Sequence, residues 1–65
     1  MKLKYDPDVD VLTILLSDAP VEESDESKPG LILDYDTGGN IVGIEILNAS
    51  KRIENPLSVE YAIAR

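Results

Sequence analysis

The sequence predicts an α+β chain that is mainly β: a small antiparallel sheet of two consecutive hairpins, with one short helical turn and a C-terminal strand. Three observations point there. Short apolar runs alternate with polar residues at the period of a pleated strand, turn-forming residues separate those runs, and Pro56 stops the one stretch that reads as helical. With 65 residues and no linker or repeat, the chain is expected to form a single domain, residues 1–65.

Leu3 and Tyr5 alternate with Lys2 and Lys4, and the turn mix Asp6-Pro7-Asp8 leads into a second strand within Val9 to Leu16. These make the first hairpin. Gly30 opens a third run, Leu31 to Tyr35, which Asp36-Thr37-Gly38-Gly39-Asn40 ends before a fourth run from Ile41 to Leu47. These make the second. A hairpin turn demands positive φ, so replacing Gly38 or Gly39 with Val is expected to be damaging. Asn48 is placed to cap a helical turn through Ile53. In the tail, Val59, Tyr61 and Ile63 alternate as in a strand, with helix as the alternative because Glu60, Ala62 and Ala64 tolerate it. The acid-rich stretch Val21 to Gly30 reads as a solvated bend.

Period-two alternation assigns Leu12, Ile14, Leu16, Leu31, Leu33, Tyr35, Val42, Ile44 and Ile46 to the core face. The opposite face is also rich in apolar residues. Val11, Leu15, Ile32, Ile41 and Leu47 form a candidate interface there, to be covered by the C-terminal segment or by a second subunit.

Composition excludes several chemistries. The chain has no Cys and no His, which removes disulfides, thiolate nucleophiles and imidazole ligands, and no cofactor is implied. Thirteen acids against six bases give a net charge of −7, which opposes binding to nucleic acid or an anionic membrane. The charge is uneven, with ten acids and only Lys28 between residues 5 and 36. The opening MKLKYDPD develops no apolar signal segment, so a cytoplasmic location is expected. A small domain without disulfides needs another source of stability, and self-association or binding to another protein is the expected one.

Asp6, Asp8 and Asp10 have the D-x-D-x-D spacing that opens a calcium loop, making calcium binding one alternative function. The rest of that loop is absent, since Val11 stands where Gly belongs and Ser17 where Glu belongs. Local turn bonding by the three Asp side chains accounts for the same pattern. Asp34, Asp36 and Glu45 are expected to share one face of the second hairpin, as outward polar positions or as a carboxylate pair. None of the serines has a His to activate it, so the chain reads as non-enzymatic.

The punctuation as a whole resembles a known family. Tyr5-Asp6-Pro7 with Asp10, Pro29-Gly30, Leu33-Asp34-Tyr35-Asp36, Gly39-Asn40, Val42-Gly43-Ile44-Glu45-Ile46-Leu47 and Ala49-Ser50 look like the small prokaryotic family named domain of unknown function 2283. The resemblance covers residues 1 to about 53, and Thr13 and Leu15 depart from it, standing where an aromatic and a polar or basic residue are expected. It carries over no catalytic residue. For partners it implies one further alternative, an antitoxin-like chain that meets a small basic toxin.

Overall fold

The computed structural model describes residues 1–64. Its strands are β1 (Lys2–Asp6), β2 (Val11–Leu15), β3 (Glu23–Lys28), β4 (Leu31–Tyr35) and β5 (Ile41–Leu47), followed by helix α1 (Ala49–Arg52). All five strands join one antiparallel sheet in the order β1-β2-β5-β4-β3. The two expected hairpins are present as β1–β2 and β4–β5, and they meet where β2 pairs with β5. The long link from Leu16 to Glu22 leads from β2 to β3, strands β3, β4 and β5 form a meander, and β5 returns to lie beside β2, which gives a Greek-key arrangement.

Two expectations need correction. The fifth strand is not the tail but the acidic stretch Glu23–Lys28, whereas residues 59–64 form no strand or helix. Every residue of β3 is exposed, and its charges suit an edge strand that must not recruit another chain by edge pairing. It forms because β4 offers a row of backbone partners and two side chains add specific ties. Ser24 Oγ donates to Asp34 Oδ1 at 2.6 Å, and Glu26 Oε2 accepts the Gly30 N–H at 2.9 Å.

The β4–β5 turn shows why its residues are what they are. Asp36 Oδ1 accepts the backbone N–H groups of Gly38 and Asn40, both at 2.9 Å, and Gly39 takes a φ of 80°. The bonds from Asn40, backbone then side chain, hold the Asp36 carboxyl below its ordinary range. Positive φ is therefore required at Gly39 and not at Gly38.

Helix α1 is fastened to the sheet end that carries the β1–β2 and β3–β4 turns. Its Asn48 cap sits in the left-handed region at φ 53° and makes no side-chain capping bond. The cap comes instead from Asp10, also left-handed at φ 57°, which accepts Ser50 N–H at 2.9 Å and Ser50 Oγ–H at 2.7 Å. Asp10 Oδ1 further accepts the Tyr5 hydroxyl at 2.7 Å, and its backbone carbonyl accepts the Ala49 N–H. Arg52 donates to the Pro29 carbonyl at 2.8 Å on the other side of the same end. Ala49, fully buried, is the hinge around which the chain leaves the sheet.

Candidate interaction face

Strand register sorts the side chains onto two unlike faces. On one, Leu3, Ile14, Ile44 and Leu33 form a row across β1, β2, β5 and β4, and Tyr5, Leu12, Ile46 and Leu31 form the next. We call this the aliphatic face. It is the surface assigned to the core by alternation, yet of these eight residues only Leu12 is buried. The buried apolar residues of the whole described chain are Leu12, Val42 and Ala49. A sheet normally stacks its apolar face on a second layer, and here one layer stands alone.

The tail supplies only partial cover. Val59, Glu60 and Tyr61 run past Met1, Leu3 and Ile14 and leave a cleft of about 570 Å³ between tail and sheet. Val59 and Tyr61 remain 62% and 75% exposed. Leu31, Leu33, Ile44 and Ile46 stay half-buried.

The opposite face is built around carboxyl groups. Lys4, Thr13, Glu45, Ile32 and Glu26 form one row, and Lys2, Leu15, Gly43, Asp34 and Ser24 another. Asp34 is buried, only 6% exposed, because it folds over Gly43, where a Cβ would lie 3.0 Å from Asp34 Oδ2. Its hydrogen bond with Glu45, helped by burial and by the Asp34 charge, pushes the Glu45 carboxyl above its usual range. Asp36 does not join them, since the turn uses both of its carboxylate oxygens.

The sequence-derived candidates fall as follows. Val11 and Leu47 are direct cross-strand neighbours, but Leu15 faces Gly43 and Ile32 faces Glu45, so carboxyl groups and Thr13 divide the five residues. A register shift between Asp34 and Tyr35 sets Tyr35 opposite Ile41 and leaves Val42 as an extra residue, which interrupts the alternation that placed Ile41 with the others. The uninterrupted apolar rows lie on the other side of the sheet.

Asp6, Asp8 and Asp10 do not converge. Asp6 Oδ1 accepts the Asp8 N–H at 3.0 Å, and both oxygens of Asp10 are turned toward Tyr5 and Ser50. Those bonds, from Ser50 first and Tyr5 second, hold the Asp10 carboxyl low, and the bond to Asp10 raises the Tyr5 hydroxyl. Among the described residues no three acids are gathered as a metal would require. The Asp10–Ser50 tie joins residues 40 apart and leaves no local signal, whereas Gly43 inside an apolar strand is a readable mark of close approach.

Fold and site together define a single-layered, Greek-key β-module with one face divided by carboxyl groups and one continuously apolar face. The family model described as "Protein of unknown function (DUF2283)" matches residues 2–50, and the chain belongs to that family. The matched span includes every strand and stops inside α1, leaving the tail outside it. No curated protein and no solved structure matches the chain. Among the described residues no helix is long and apolar enough to cross a membrane.

Proposed function

We propose that this chain works by binding rather than by catalysis, burying its aliphatic face against a protein surface. The observation that carries this reading is the pair of apolar rows spanning four strands with no second layer over them. Apolar area of that kind is worth roughly 25 cal/mol per Å² when removed from water, and it supplies both affinity and stability.

The test combines solution mass with binding of a neutral solvatochromic dye, which lights up on exposed apolar surface. The wild-type chain should either exceed monomer mass or, as a monomer, bind the dye. Leu33→Ser, which adds a hydroxyl to the centre of the face, should reduce whichever property is seen. A monomer that binds no dye overturns the reading.

A further inference from the structure

We propose that the surface covering the aliphatic face is a second copy of this chain, the two sheets packing face to face about a two-fold axis that runs along β5. The proposal rests on the binding reading above and names its partner.

The first argument is area. The chain exposes 5102 Å² for a mass of 7.1 kDa. A folded monomer of that mass exposes about 4,100 Å². The excess is about 1,000 Å², to which the exposed tail also contributes, against the roughly 800 Å² that each partner contributes to a standard interface. The radius of gyration agrees, at 12.6 Å against about 10.8 Å for a compact chain of this length. One more layer of the same size is what the sheet lacks. Face-to-face sheets sit about 10 Å apart, a gap filled by interdigitating Leu and Ile side chains of the kind these rows supply.

The second argument concerns which way the copies lie. β5 is the central strand, so it lies on the axis whether that axis runs along the strands or across them. The tail covers the β1–β2 half, beside Leu3 and Ile14, while the β4–β3 half offers Leu31 and Leu33. An axis along the strands lays the tail-bearing half of each copy over the tail-free half of the other, filling both. An axis across them stacks tail on tail. Charge selects the same arrangement, because Asp25, level with Leu33, lies on the aliphatic face, and an axis along the strands keeps its two copies apart at opposite edges. The crosswise axis would set Asp25 against its own counterpart.

The absence of cysteine makes the test clean, because a single introduced thiol has only its symmetry mate to find. Light scattering across a dilution series should give twice the chain mass. Ile44→Cys, on the axis, should oxidise to a covalent dimer on the order of tenfold or more faster than Thr13→Cys on the opposite face, since paired thiols meet at millimolar effective concentration. Disulfides do bridge packed sheets at this spacing. A mixture of Leu33→Cys and Tyr61→Cys chains should give the mixed disulfide. Faster linking of Thr13→Cys than of Ile44→Cys overturns the choice of face, and self-linking of Leu33→Cys in place of the mixed product overturns the axis. A monomer at every concentration overturns the second copy altogether. If that monomer binds the dye, the binding reading survives; if it does not, both fall.

Discussion

The two faces of one sheet are finished in different ways. On the carboxyl face the central positions are Thr13, Glu45, Gly43 and Asp34, whose polar atoms find partners or water, so the surface is complete as it stands. On the aliphatic face the same strands present Ile14, Ile44, Leu33, Leu12, Ile46 and Leu31, of which only Leu12 is buried and the rest are half-buried. Alternation gives each strand one apolar side, but burial needs something placed against it. An apolar row in a sequence therefore marks a surface that wants a partner, which in larger domains is the core and in this one is an outside.

Five substitutions sharpen the contrast. Leu12→Ala removes the buried anchor of the aliphatic face, at a cost of about 2–3 kcal/mol. A small single core supplies only about 3–5 kcal/mol, so most of the stability should go, read as a collapse of the urea midpoint. Next come the neighbours Leu33 and Ile32 on β4, which point to opposite sides. Leu33→Ser should cost about 1–2 kcal/mol and lower the solution mass, while Ile32→Ser should cost less and leave the mass alone. Equal effects on mass would erase the distinction between the faces.

Gly43→Ala tests the other side. The new Cβ meets Asp34 Oδ2 at 3.0 Å, so the buried carboxylate must shift and loosen its bond to Ser24. A loss of about 1 kcal/mol by urea titration is expected. The smallest effect, and the one that reverses sign, belongs to Glu45→Gln. Because the folded state raises the Glu45 carboxyl, the stability tied to its proton is full below the unfolded value and fades as pH rises through the folded one. The amide of Gln keeps a donor toward Asp34 at any pH, whereas the Glu45 carboxyl offers one only while protonated. The variant's melting temperature at pH 7 should rise by about 2–4 °C, and the advantage should vanish below about pH 4.

Four strands were legible because their signals are local. Val11 to Leu15, Leu31 to Tyr35 and Ile41 to Leu47 are dense in branched apolar residues, and Asp36 to Asn40 encodes its own turn through the Asp36 carboxylate. The short helix is likewise where Asn48 and Pro56 confine it. The candidate face was half legible: both apolar rows are visible in sequence, but the one taken for an interface is broken by Asp34 and Glu45.

By itself, then, the sequence determined the period-two strands, the turns between them, the lack of thiol and imidazole chemistry, and membership in a family by its punctuation. Tertiary structure decided the rest. Residues 23–28 became a strand because β4 had an open edge to pair with, though Glu-Ser-Asp-Glu-Ser-Lys carries no intrinsic reason to extend. The tail stayed unpaired and lies beside Leu3 and Ile14 of β1 and β2 instead of extending the sheet edge. Asp10 became a helix cap rather than part of a convergent acid loop because folding brought Ser50 to it from 40 residues away. Backbone pairing and hydrogen bonding across such distances depend on which surfaces meet, and no window of neighbouring residues contains that information.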